Sequence, residues 1–338
     1  MARSSRPLAL TLGDPAGIAP DITLDAWRAQ DSETIPPFVL LGDPDVVAAR
    51  AQERGVSVPI AVIDDPREAL DAFSQALPML PVTVSGSVVP GKPNQAAMPS
   101  VQQSIQGAVE LALEGLASAV VTNPISKAVL YRSGFTFPGH TELLGALSRQ
   151  EAPTPVMMLV ANDLKVVPTT IHIPLKHVSI TLTQDLIFST IDTAARDLKR
   201  YFGLERPRIA VCGLNPHAGE EGSIGTEEVD IIRPAIERAR RKGLTITGPH
   251  SADTLFHANA REGFDVAIAM YHDQALIPFK TLAFEEGVNV TLGLPFVRTS
   301  PDHGTAFALA GTGRANPRSL IEALRLADAM ASRSEAFR

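Results

Sequence analysis

The stretch Ile209-Ala210-Val211-Cys212-Gly213-Leu214-Asn215-Pro216-His217-Ala218-Gly219-Glu220 decides the fold class. It opens on four apolar, β-prone residues and passes into a turn rich in Gly, Asn and Pro. A helical pattern over 226–242 follows, then a second β-prone run at Leu244–Thr247. Strand, turn, helix and strand in that order read as one unit of an α/β fold. The same alternation runs almost throughout the chain. Leu8–Leu12, Phe38–Leu41, Ile60–Ile63, Val82–Val84 and Ala119–Thr122 read as strands of a first region. Val156–Val160, Leu164–Val167, Ile209–Cys212, Leu244–Thr247 and Val266–Met270 read as strands of a second. Helices are predicted at 44–54, 66–76, 100–116, 184–203, 226–242 and 317–331, with Thr226-Glu227-Glu228 and Asn316-Pro317 as starts. The expectation is a largely parallel sheet, with Pro- and Gly-rich loops at Gly13–Pro20, Ser85–Pro93, Phe137–Gly139 and Gly293–Gly304. Phe137–Gly139 is the expected domain boundary.

Three of the predicted strands of the second region are followed by a histidine in a distinctive phrase. His172 lies in Thr169-Thr170-Ile171-His172-Ile173-Pro174-Leu175, His217 in Asn215-Pro216-His217, and His272 in Met270-Tyr271-His272-Asp273-Gln274. The carboxyl ends of parallel strands are where open α/β sheets bind ligands. One histidine at such a place is more often a hydrogen-bonded structural residue. Three in equivalent places, out of 8 in the chain, point to a divalent ion held by imidazoles with a position open for substrate. Their long spacings match no compact zinc signature.

Composition narrows the partners. The chain has 338 residues, 45% hydrophobic and 20% charged, enough for two α/β domains with sizeable cores. A net charge of -7 argues against nucleic acid or an anionic membrane as the main partner. The lone Cys212 permits no internal disulfide and reads as a small buried hydrophobe. No apolar run reaches the ~18 residues of a membrane span, and no signal peptide opens the chain, so a cytoplasmic location is expected.

Other residues add chemistry. Gly13-Asp14-Pro15-Ala16-Gly17-Ile18-Ala19-Pro20 is neither GxGxxG nor a P-loop and reads as a tight turn into a helix. Gly139-His140-Thr141-Glu142 places two donors and a carboxylate at a predicted helix start. Lys280 and Arg298 are cations in an otherwise apolar and glycine-rich region, suited to a phosphorylated or carboxylated substrate, with Asn289 between them. Asp253 and Asp273 are carboxylates available as ligands, as partners of ligands or as proton acceptors.

Together these phrases resemble the 4-hydroxythreonine-4-phosphate dehydrogenase family of vitamin B6 biosynthesis. The likeness runs from Gly13–Ile18 through Gly139–Glu142, Leu214–Glu220, Ala252–Phe256 and Tyr271–Gln274 to Gly287–Ser300 and Asp302–Thr305. Where this chain has Gly13-Asp14 and Ile18-Ala19-Pro20, the family more often has Gly-Glu and Ile-Gly-Pro.

The resemblance implies two α/β domains of the isocitrate/isopropylmalate dehydrogenase kind, with the active site in the interdomain cleft. Residues 1–137 with 310–338 would form the first domain, and 138–309 the second. It also implies a homodimer whose active site lies at the subunit interface, with the His140 loop as the candidate contribution across it. His172, His217 and His272 would be ligands of one divalent metal (zinc, magnesium or cobalt), and His140, Thr141, Lys280, Asn289 and Arg298 substrate contacts. NAD or NADP would take the hydride, and Asp253 and Asp273 are the candidate bases. The rivals are a dehydrogenase of a 4-phospho sugar acid or an aromatic dihydrodiol, a zinc hydrolase, and a non-catalytic binding protein.

Overall fold

The computed structural model describes residues 5–126, 128–129, 140–149 and 155–336 and, of residues 140–142, the helical backbone. The predicted boundary at Phe137–Gly139 lies outside the described residues. Two compact units emerge, Met1–Pro153 with Leu294–Ala336, and Thr154–Gly293.

The first unit is built on parallel strands in the order β3-β4-β2-β1-β5-β12. These are β1 (Leu8–Thr11), β2 (Phe38–Gly42), β3 (Ile60–Val62), β4 (Leu77–Pro81), β5 (Val120–Val121) and β12 (Arg298–Pro301). Every residue of β1 and β2 is buried, as expected of central parallel strands covered on both faces. The helix Met98–Leu113 turns Val101, Ile105, Ala108 and Val109 into a core with Leu12, Val39, Leu41 and Val120. Ser104, on the same helix, accepts from the Leu12 amide at 2.8 Å and donates to the Leu41 carbonyl at 2.7 Å, locking helix to strand ends.

Two elements differ from the sequence reading here. The strand expected at Val82–Val84 lies earlier, at Leu77–Pro81, where Pro78 and Pro81 hide it. Within the segment read as a Gly293–Gly304 loop, Arg298–Pro301 pairs with β5, and Leu294 and Phe296 join the first core. That is why the chain returns to the first unit at Leu294, not at 310.

The loop Gly13–Pro20 does lead into a helix, Ala19–Arg28. It is held by a buried ion pair. Asp21 (0% exposed) meets Arg50 (3% exposed), and Arg50 also donates to the carbonyls of Pro15 and Gly17 at 3.1 Å. Asp21→Asn removes the buried counter-charge of Arg50 and leaves it only the exposed Glu53 carboxylate, 3.6 Å away. Breaking such a pair destabilises by about 3–5 kcal/mol. The urea midpoint should fall accordingly, and an unchanged midpoint would show the pair to be energetically neutral.

The second unit carries β11-β6-β7-β10-β8-β9. These are β6 (Val156–Ala161), β7 (Leu164–Pro168), β8 (Arg208–Cys212), β9 (Thr245–His250), β10 (Val266–Ala269) and β11 (Val288–Leu292). β7, β10, β8 and β9 run parallel, but β6 is antiparallel to both β7 and β11. The sheet of this unit is therefore largely parallel with one reversed strand, β6, since β11 runs in the same direction as β7. The cause is a tight turn at Asn162, whose φ of 52° is tolerated by Asn better than by most side chains. The helix Gln184–Phe202 is capped by the Thr183 hydroxyl, which accepts from Leu186 N at 3.1 Å. The core gathers Leu159, Val166, Ala210, Cys212, Ala267 and Phe279. Burial pushes the Cys212 thiol up to about 12, so it stays protonated and acts as a small apolar side chain. Among the described residues, no helix is long and apolar enough to cross a membrane.

Candidate active site

Adjacent parallel strands order the site. β7, β10 and β8 are neighbours in that order, so their carboxyl ends share one edge of the second unit. His172 follows β7, His272 follows β10 and His217 follows β8. The expectation that each histidine lies just past a strand end is met.

Backbone and side-chain bonds extend the sheet beyond the strands. Thr169 N donates to Ala269 O at 2.8 Å, and Thr170 binds Met270 O through its amide at 3.2 Å and its hydroxyl at 2.8 Å. These zip the chain after β7 to the end of β10. The result is that the rings of His172 and His272 face one another, with centroids 5.8 Å apart and planes tilted by 46°. Gln274 ties β10 to β8. Its amide oxygen accepts from Met270 N and its amide nitrogen donates to Gly213 O, both at 2.7 Å. Sequence reading did not single out Gln274, although it stands inside the His272 phrase.

His217 is carried differently. Residues His217 to Glu221 all have positive φ, from 44° to 78°. Left-handed backbone destabilises an L-residue by roughly 1–2 kcal/mol, and only Gly219 escapes it. The run therefore persists because its surroundings hold it.

The donor set suits a divalent ion. Two imidazoles bound to one tetrahedral ion at about 2.0–2.1 Å have ring centres roughly 5–5.5 Å apart, close to the spacing of the His172–His272 pair. His272 Nδ1 lies 2.7 Å from Asp273 Oδ1. A carboxylate on that nitrogen favours the Nδ1–H tautomer and leaves the Nε2 lone pair for a metal. The third ring is not part of that pair. Among the described residues, no group of three or more His, Cys, Asp or Glu side chains is assembled closely enough to hold an ion.

Asp253 is exposed, in the first turn of the short helix Ala252–Leu255. The Ser251 hydroxyl, donating to Asp253 Oδ1 at 2.5 Å, holds its carboxyl below the usual range. Ser251 occupies the N-cap position of that helix. Lys280 lies two turns, about 12 Å, down the helix that His272 begins, with its ammonium 5.3 Å from the Phe284 ring centre. Asn289 is half-buried in β11, opposite Leu159.

The remaining expected contacts belong to the first unit. Arg298 opens β12 and is 3% exposed, and its Nη2 donates to the Thr122 hydroxyl at 2.5 Å. Burial lowers its guanidinium to about 10, so it remains a cation at neutral pH. His140 and Thr141 begin the helix His140–Leu147; their side chains lie outside the described residues.

Comparison with known proteins adds independent weight. Residues 33–327 match the family model described as pyridoxal phosphate biosynthetic protein PdxA. The chain is 55% identical to a 4-hydroxythreonine-4-phosphate dehydrogenase of Methylorubrum populi, over 98% of this chain and 97% of that protein. It superposes on the crystal structure of a 4-hydroxythreonine-4-phosphate dehydrogenase from Klebsiella pneumoniae with a TM-score of 0.85, at 38% identity over 96% of this chain and 99% of the other. A terephthalate 1,2-cis-dihydrodiol dehydrogenase from Burkholderia xenovorans is more distant, with a TM-score of 0.64 and 29% identity over 96% and 98% of the two chains. With its α/β units, its strand-end histidines and this near full-length match, the chain belongs to the PdxA family of pyridoxal phosphate biosynthetic proteins.

Proposed function

We propose that the chain is a 4-hydroxythreonine-4-phosphate dehydrogenase that oxidises 4-phosphooxy-L-threonine with a nicotinamide cofactor, NAD or NADP, and one divalent ion. The observation that carries this reading is the delivery of His172, His272 and His217 to one sheet edge by neighbouring parallel strands, with two of the rings already paired.

The reaction balances simply. The C3 hydroxyl gives up its proton and C3 gives up its hydrogen as hydride, the hydride passes to the nicotinamide, and 2-amino-3-oxo-4-phosphooxybutanoate forms. Its carboxylate is β to the new ketone, so loss of carbon dioxide yields 3-amino-1-hydroxyacetone 1-phosphate. His172, His217 and His272 would hold the ion, which would supply Lewis acidity toward the substrate hydroxyl. Asp273 fixes the His272 ring. Lys280 and Arg298 neutralise anionic groups of the substrate, while His140, Thr141 and Asn289 orient it. Asp253 takes the hydroxyl proton; a carboxylate of lowered pKa is a competent base only for a hydroxyl already acidified.

A second copy of the chain completes the site in this reading. Leu175 (71% exposed) and Ile180 (76%) follow His172, and Ile277 (65%) and Phe284 (74%) follow His272. Large apolar side chains left in water in the segments that follow both histidines suit burial against a partner.

The test is a direct assay. With 4-phosphooxy-L-threonine, NAD or NADP and zinc, magnesium or cobalt, reduced nicotinamide and carbon dioxide should appear in equal amounts. Turnover without nicotinamide would favour a hydrolase, and equal turnover of unphosphorylated 4-hydroxythreonine would remove the need for a phosphate pocket. Asp253→Asn should lower kcat by about 10²–10⁴, the range of a positioned proton acceptor, with metal content unchanged. Wild-type kcat in that variant would exclude Asp253 as the base.

A further inference from the structure

The run of positive φ that carries His217 is wrapped around one carboxylate. Glu228 is 0% exposed. Its Oε1 accepts from the amides of Leu214 and Asn215, both at 2.7 Å, and its Oε2 accepts from Asn215 Nδ2 at 2.9 Å. Asn215 Nδ2 also donates to Glu227 Oε2 at 2.8 Å. A Cβ on Gly219 would meet Glu228 Oε2 at 2.5 Å, and one on Gly213 would meet Glu228 Oε1 at 3.0 Å. The backbone on both sides of His217 thus lies directly against this side chain. In the sequence Glu228 reads only as part of a helix start; in the structure it begins the Glu228–Ile232 turn of π-helix and reaches back over the histidine segment.

We infer that Glu228 is a positioning residue of the metal site. Its carboxylate collects the amides that enter the left-handed turn and so sets where the His217 imidazole is presented. The inference rests on the reading that the three histidines hold a divalent ion. A carboxylate is needed because the segment offers donors to both oxygens. Glutamine keeps one acceptor and sets an amide N–H₂ against the Asn215 amide, a donor facing a donor. Gly219 is the matching position on the turn, since any side chain there displaces Oε2 and must adopt a φ of 78°.

The experiment titrates cobalt(II) into the metal-free full-length protein and its Glu228→Gln, Gly219→Ala and His272→Ala variants. It follows the cobalt ligand-field spectrum and the rise in Tm that the ion produces. If Glu228 positions His217, Glu228→Gln and Gly219→Ala bind cobalt about 10–100-fold more weakly, as for losses of supporting groups around metal ligands. Their spectra also change, and the metal-linked rise in Tm shrinks. A purely structural role lowers the metal-free Tm but leaves the spectrum, the affinity and the metal-linked rise unaltered; that result overturns the inference. His272→Ala separates the two failures. If it loses cobalt while the Glu228 and Gly219 variants bind like wild type, the metal reading stands and the role of Glu228 falls. If His272→Ala also binds like wild type, the metal reading itself is overturned, and the inference with it. Should Glu228→Gln not fold, Gly219→Ala decides alone, by the same spectrum and affinity.

Discussion

His272→Ala is expected to lower turnover by about three powers of ten or more, the upper range for removing one group that stabilises developing charge. His272 ends the central of three parallel strands, its ring faces that of His172 at 5.8 Å, and Asp273 orients it. Removing the ring takes away a ligand and leaves Asp273 without the imidazole it holds. The fold should survive, because the ring is partly exposed and the end of β10 is held by Gln274. Metal content should fall with activity while the circular dichroism stays unchanged. Near-normal activity at near-normal metal content would remove His272 from the site.

Arg298→Ala is expected to reduce kcat/KM for the phosphorylated substrate by one to two powers of ten or more. Hydrogen bonds to charged partners contribute roughly 1.5–3 kcal/mol each, and ~1.4 kcal/mol is about tenfold in kcat/KM. Arg298→Lys should recover only part of this, since an ammonium cannot reproduce two parallel N–H bonds. The pH dependence has a definite sign. Burial has lowered the guanidinium to about 10, so the cation is intact at pH 7 to 9 and is lost as pH rises through about 10. KM should therefore be flat over the lower range and climb on approaching about 10, and a bound anion should move that rise upward by favouring the cation. Wild-type kcat/KM in the Ala variant would reduce Arg298 to a structural role, such as its bond to Thr122.

The parts of this architecture legible in the sequence are those in which local pattern and tertiary role agree. β10 is a continuous apolar run buried on both faces, β8 is one beyond Arg208 and β7 is broken only by the half-buried Lys165, and each ends in a turn whose composition marks the histidine. β4 was hidden because Pro78 and Pro81 are strand breakers by propensity but tolerable at its particular ladder positions. β12 is hidden because Gly293 and Pro295 make Gly293–Gly304 read as one loop, although Arg298–Pro301 finds its strand partner far away in sequence; β11, just before that loop, is likewise set by pairing with the distant β6. Gln274 and Glu228 act through bonds to backbone 61 and 13–14 residues away. No helical or strand periodicity encodes such a bond. The left-handed turn at His217 was equally invisible, since only Gly219 within it is a residue that favours that conformation.

The central claim is that the ends of β7, β8 and β10 hold a single divalent ion. The most direct measurement is a crystal structure of the zinc- or cobalt-loaded protein, with the ion located by its anomalous scattering. The account predicts one ion per site ligated by His172, His217 and His272, with the His217 ring brought to the His172–His272 pair. An ion held by other residues, or the three imidazoles remaining apart under saturating metal, would contradict it.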